Sequence, residues 1–146
     1  MRKPLLLASA ALAVAAPVAL AQEADTTPPT AVIKISTTLQ SLDSLIGNGL
    51  VFSADPSEDM TYTAKATLVS GGKKVVVAKS IREGDLFNSG GGFVEQSLAR
   101  GSDSAVRVLQ KIKKGKKLPV TLTLKLKDTA GNTKTVTKTV KLKKRY

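Results

Sequence analysis

The sequence predicts an all-β fold: an antiparallel two-sheet sandwich of about seven strands, with one short helix before the last hairpin. Three observations predict it. Apolar and polar residues alternate strictly in several short segments. Gly-, Asn- and Asp-rich turn signals separate those segments. Helical spacing recurs clearly in only one place, residues 102–115, so no long strand–helix–strand alternation supports a parallel sheet.

Residues 1–21 read as a cleavable secretory signal peptide. Arg2 and Lys3 give a positive start, Leu5–Leu20 is an apolar run, and Ala19-Leu20-Ala21 places small residues two apart before the Ala21–Gln22 bond. The run is shorter than the roughly 20 residues a spanning helix needs, and Pro17 disturbs its end. The membrane is therefore a partner only before cleavage. No Cys follows to carry lipid, and no apolar C-terminal anchor appears, so free secretion or charge-mediated wall retention is expected. The mature chain is residues 22–146, enough for one domain with an adequate core.

Residues 22–29 (QEADTTPP) read as a linker, and residues 30–142 as the domain. In Thr30–Ser36, Ala31, Ile33 and Ile35 share one side of a strand. Thr37–Ile46 is ambiguous: Leu39, Leu42, Leu45 and Ile46 have helical spacing, and Ser41 or Asp43 could cap a short turn. Gly47-Asn48-Gly49 ends it. Leu50, Phe52 and Ala54 alternate as the second strand. Thr61–Val69 is the third, with Tyr62, Ala64, Ala66 and Leu68 inward. Ser70-Gly71-Gly72-Lys73 is a hairpin signal, because paired glycines supply the positive φ of tight primed turns. Val75–Ile81 returns as its partner.

Gly84–Gly92 reads as loop and Phe93–Leu98 as a short strand. Ser102 or Asp103 then caps an amphipathic helix carrying Ala105, Val106, Leu109 and Ile112. Gly115 closes it, with Lys111, Lys113 and Lys114 in the last turn, where the macrodipole favours them. Val120–Lys127 and Thr133–Leu142 form the final hairpin around the turn Asp128–Asn132, with Gly131 at its left-handed position. Lys134 and Lys138 share a face with Val136, Val140 and Leu142, and so belong at a rim or beside a bulge, with their stems packed and ammonium groups in water. Residues 143–146 read as a frayed basic tail.

Two short motifs bear a family resemblance. Asp25-Thr-Thr-Pro-Pro29 before the first strand and Asp128-x-Ala-Gly-Asn132 in the last hairpin resemble the borders of bacterial extracellular Ig-like domains. The Ser102–Lys117 stretch before Lys117-Leu-Pro-Val-Thr-Leu-Thr-Leu124 resembles a variant found in secreted actinobacterial proteins. The resemblance spans most of residues 25–142, apart from a Gly84–Gly101 region looser than the pattern. It implies an Ig-like sandwich acting as a secreted or cell-surface binding or spacer module, with no catalytic residues to carry over.

The residue types narrow the chemistry. His and Cys are absent, which removes the usual general base, the thiol nucleophile, a disulfide framework and most zinc ligands. Only a Ser–Lys pairing would remain for a secreted hydrolase, and a protease inhibitor on the same scaffold is a further alternative. Gly90-Gly91-Gly92 lacks the Lys-Ser/Thr of a phosphate-binding loop. No cofactor is expected. Asp55, Glu58 and Asp59 are candidate calcium ligands, though without the EF-hand glycine or a closing Glu, and a solvated acidic loop is the preferred reading. For Asp128 and Asn132 a turn-forming role is preferred.

Charge is the strongest functional signal. Residues 22–104 carry a net −3 and residues 105–146 a net +13. Lys111, Lys113, Lys114, Lys116, Lys117, Lys125, Lys127, Lys141, Lys143, Lys144 and Arg145 are the candidate contacts for a polyanion. If the last two strands pair, Lys125, Lys127, Lys141 and Lys143 would form one outward field. An anionic wall polymer, an acidic glycan or another surface protein is the expected partner. Specific nucleic-acid reading is not, since stacking aromatics and Arg forks are scarce. The competing reading is solubility plus lysines that blunt sheet edges.

Overall fold

The computed structural model describes residues 23–146. The leader and its cleavage bond lie outside the described residues. Eight strands and two short helices follow in order: β1 (Ala31–Lys34), α1 (Leu42–Gly47), β2 (Leu50–Pro56), β3 (Met60–Ser70), β4 (Lys73–Lys79), β5 (Gly84–Leu86), β6 (Val94–Arg100), α2 (Asp103–Gln110), β7 (Lys117–Asp128) and β8 (Thr133–Lys143). Every pairing is antiparallel. The strand order is β1-β2-β6-β4-β3-β7-β8, with β5 on β3 beside β4. Two pairs, Ala78↔Arg100 and Lys79↔Ala99, join β1-β2-β6 to the rest. The result is one nearly closed sheet.

The alternation read from the sequence sets the inside. Leu50, Phe52 and Ala54 of β2, Tyr62, Ala64, Ala66 and Leu68 of β3, and Val120, Leu122, Leu124 and Leu126 of β7 are all buried. Phe52 and Tyr62 meet edge to face at 5.9 Å and 89°, tying β2 to β3 across the core. Gly71 and Gly72 both take positive φ, 58° and 74°, in the two-residue turn from β3 to β4, as a primed hairpin requires. Past this hairpin a bulge at Ala66/Thr67 sets Thr67 opposite Val76 and Ala66 opposite Ala78. It lets the adjacent Val77 and Ala78 both be fully buried, which strict alternation forbids.

The second half of the ambiguous segment resolves as helix, whereas residues 37–39 form a turn that leaves Leu39 exposed. Ser41 caps α1: its hydroxyl accepts from Ser44 N at 3.2 Å, and the Ser44 hydroxyl accepts from Ser41 N at 3.0 Å. Leu42 and Leu45 go fully into the core. Ser41→Ala is expected to lower stability by about 1 kcal/mol, measurable by urea denaturation.

Four expectations need correction. The loop Gly84–Gly92 contains β5, a three-residue strand with no alternation long enough to read. The return strand β4 covers Lys73–Lys79, not Val75–Ile81, because the turn is only two residues long. The helix capped by Ser102 ends at Gln110, so Lys111 is its C-cap and Lys113, Lys114 and Gly115 lie beyond it. Finally, the tail is not frayed. Lys144 N donates to Lys116 O, and Gly115 N to Lys144 O, both at 2.8 Å, so pairing continues one residue past β8.

Candidate polyanion-binding surface and acidic cluster

The outward face of β3, β7 and β8 is built almost wholly from threonine and lysine, because the alternate positions of each strand carry little else. The register lays them out in rows. Lys65 stands opposite Thr123, which stands opposite Thr137; Thr121 stands opposite Thr139, and their hydroxyls bond at 2.9 Å. Lys125 pairs with Thr135, and Lys127 with Thr133.

Two rows set lysine directly against lysine. Lys65 faces Lys79 across β3 and β4, and Lys117 faces Lys143 across β7 and β8. Like charges directly opposite destabilise a sheet. The described residues contain two ion pairs, Arg100–Asp103 and Lys144–Asp43, and neither involves these lysines. Carboxylates reach this face at the β5 end, where Asp85 stands beside Thr61 and Glu83 borders Thr63 and Lys125.

The expected single field of Lys125, Lys127, Lys141 and Lys143 is divided. Lys141 is opposite Pro119 and Lys143 opposite Lys117, near the Lys111–Lys116 connection. Lys125 and Lys127 lie toward the Asp128 end of β7, about 27 and about 34 Å from Lys117 at strand rise. Threonine rows fill the interval. Lys134 and Lys138 take the opposite side of β8, against Leu126 and Leu122, as rim lysines with exposed heads.

One candidate leaves the surface, and a second stays exposed but is tied down. Lys144 is buried and its ammonium pairs with the Asp43 carboxylate, at the start of α1. Arg145 is engaged too: its N–H donates to Asp43 Oδ2 and its guanidinium to Thr38 O, each at 2.6 Å. Burial raises the Asp43 pKa, but the bonds from Lys144 and Arg145 N and the Lys144 charge outweigh it, so the net shift is downward. Conversely, sequence reading missed Lys65 and Lys79. Lys65 sits on the polar face of an alternating strand, but Lys79 follows the bulge in β4, and their juxtaposition depends on the pairing register.

The acidic candidates also rearrange. Asp55 accepts from Gly92 N at 3.3 Å and Asp59 from Asn88 N at 2.8 Å, so both hold the 87–92 loop. Glu58 alone joins a cluster, with Asp25 and Asp128, whose carboxylate oxygens lie within 4.8 Å of one another. Burial and the negative charges of Asp128 and Asp25 raise the Glu58 pKa. Burial also opposes ionisation of Asp128, but hydrogen bonds from the Asn132 side chain and from nearby backbone N–H groups prevail and lower its pKa. Such oxygens suit a hard cation, although calcium needs six or more and three carboxylates supply only part of that shell.

The turn itself follows the sequence reading in part. Asn132 Nδ2 donates to Asp128 Oδ2 at 2.8 Å and to Asp25 O at 2.9 Å. The linker motif and the hairpin motif therefore touch, joining the two segments that carry the family resemblance. Gly131 takes φ 92°, whereas Asn132 keeps negative φ.

Among the described residues, no helix is long and apolar enough to cross a membrane. Comparison with known protein families, characterised proteins and solved structures finds no match.

Proposed function

We propose that this chain is a secreted, non-catalytic Ig-like module that binds an anionic polymer, a wall polymer or acidic glycan, at the cell surface. The lysine-on-lysine rows carry this reading. A fold that places Lys65 against Lys79 and Lys117 against Lys143 holds repulsion that a polyanion relieves. Edge protection does not account for them all, because β3 and β7 are interior strands and Lys65 and Lys125 have no edge to guard. The threonine rows between the lysines add hydroxyls able to donate to sulfate, phosphate or carboxylate oxygens.

The strand order supports the Ig-like assignment. The trio β1-β2-β6 matches the A, B and E strands of one Ig sheet, and β3-β7-β8 the C, F and G strands of the other, with β4 beside β3. The absence of His and Cys, the commonest general base and the thiol nucleophile, supports a non-catalytic reading.

Retention of the protein on an immobilised sulfated glycan and on a phosphate-rich wall polymer tests the reading. Binding at low ionic strength is expected, with release as salt shortens the Debye length to about 3 Å near 1 M. Joint Lys65→Gln, Lys117→Gln and Lys143→Gln substitutions should elute at clearly lower salt, while Lys34→Gln should change elution little. No retention at low salt would leave only a spacer role. Retention indifferent to salt would rule out the electrostatic contact.

A further inference from the structure

A recess of about 940 Å³ opens where the sheet fails to close, and it adjoins the lysine face, sharing the bend at residues 80–83 with the hollow beside Lys65, Lys79 and Lys125. β6 pairs with β2 along Val94–Leu98, but its other edge meets β4 only at Ala99 and Arg100. β5 pairs with β3 through Met60–Tyr62 and has no strand on its far side. One wall of the recess is made by the consecutive residues Gln96, Ser97, Leu98 and Ala99, the other by Arg82, Glu83, Gly84 and Asp85. A strand that shows a cavity its side-chain face contributes alternate residues. The run of consecutive β6 residues means that this wall presents its backbone edge, while the facing wall is the bend before β5 and the start of that strand.

We propose that this recess receives an extended segment of a partner protein, which adds as a strand to the open edge of β6. Strand addition satisfies main-chain donors and acceptors that otherwise face water. About five residues, roughly 17 Å, would cover Val94–Leu98. This edge lacks the usual protection: it has no lysine and no proline, and its one charge is Glu95. Two large apolar side chains stand beside it, Ile81 at 87% exposure and Phe87 at 63%. Glu83 and Asp85 outnumber Arg82 there, an acidic spot on a strongly basic protein. The partner segment therefore alternates apolar residues, for Ile81 and Phe87, with basic residues, for Glu83 and Asp85. The floor is prepared: Tyr62 Oη donates to Gln96 Oε1 at 2.8 Å. The Tyr62 ring lies over Gly84, where an added Cβ would come within 2.6 Å of it.

The probe is the capped peptide Ac-Lys-Val-Lys-Val-Thr-Val-Lys-NH2, titrated calorimetrically into the protein. It should bind about tenfold or more tightly than the same peptide N-methylated at alternate amides, and than its Lys-to-Glu counterpart, because pairing needs both amides and charge. Ile81→Asp and Phe87→Asp are exposed changes that leave the core intact, and each should weaken binding about tenfold. Amide exchange should slow within Val94–Leu98 when the peptide binds. Ile81 borders Lys79 and Lys125, and Phe87 borders Lys127, so polymer retention is compared in the neutral variants Ile81→Ser and Phe87→Ser, which should leave it unchanged while still weakening peptide binding; this site and the lysine face then fail independently. Absence of binding, equal binding of the methylated peptide, or unchanged exchange in β6 would overturn the assignment. So would self-association of the protein that Phe87→Asp abolishes, since the occupant would then be a second copy.

Discussion

Asp43→Ala is expected to be among the most damaging single changes, lowering stability by about 3–5 kcal/mol, the usual cost of orphaning one half of a buried ion pair. The Lys144 side chain is only 7% exposed, and among the described residues Asp43 is its sole ionic partner. Removing Asp43 also strands the N–H groups of Arg145 and Tyr146, which donate to Oδ2 at 2.6 and 3.4 Å. Lys144→Met should cost less, because Asp43 keeps its backbone donors and methionine fills the stem's space. The double change Asp43→Leu with Lys144→Met should recover much of the loss, since matched apolar replacement avoids uncompensated charge. Urea midpoints of the three proteins measure this directly. Similar losses in the double and the Asp43→Ala protein would refute the buried-pair account.

The same carboxylate sets an acid limit. Its pKa is lowered in the fold, so its contribution is fully present above the ordinary aspartate value of about 3.9 and drains away as pH falls through the depressed folded value. Stability curves of the native and Asp43→Ala proteins should therefore converge in acid, below about pH 4. Divergence on acidification would contradict the sign.

Gly49→Ala should rival that loss, at about 3–5 kcal/mol, by a different route. Gly49 turns the chain from α1 into β2 with φ 74°, a conformation L side chains rarely adopt. A Cβ there would collide with the Leu98 carbonyl oxygen and lie 2.8 Å from Arg100 N, so the obstacle is the backbone of β6 itself. Gly71→Ala gives the control: its φ is also positive, 58°, but the space around it is open. It should cost only the conformational part, about 1 kcal/mol. Near-equal thermal midpoints for the two variants would show that close strand approach is not what demands glycine at position 49.

The pattern of what could be read from residues alone follows from interaction range. β2, β3 and β7 were legible because their alternation is local and lasts five residues or more. The Gly71-Gly72 turn was legible because positive φ is a property of the residue. β5 was not, since three residues cannot show a period and only its pairing with Met60–Tyr62 defines it. The bulge at Ala66/Thr67 was hidden for the same reason: Val77 and Ala78 look like any apolar run until a partner strand is fixed. At the lysine surface, type and side were readable for Lys125, Lys127, Lys141 and Lys143, and type alone for Lys117. Lys144 was misjudged because a terminal lysine looks solvated unless the carboxylate of Asp43, 101 positions earlier, is known to be beside it. The acidic group suffered likewise, as Glu58 finds its companions in Asp25 and Asp128 and not in its sequence neighbours.

The tether between Asn132 and Asp25 has a mechanical corollary. It holds the start of the domain beside the β7–β8 turn, while the last residues are held beside α1. The eleven residues of β8 separate these points by about 35 Å. Tension applied between the two ends would run along β8, so its ladder to β7 would be loaded all at once in shear, not peeled rung by rung. Single-molecule stretching should accordingly record a higher rupture force for end-to-end pulling than for pulling across the sheet.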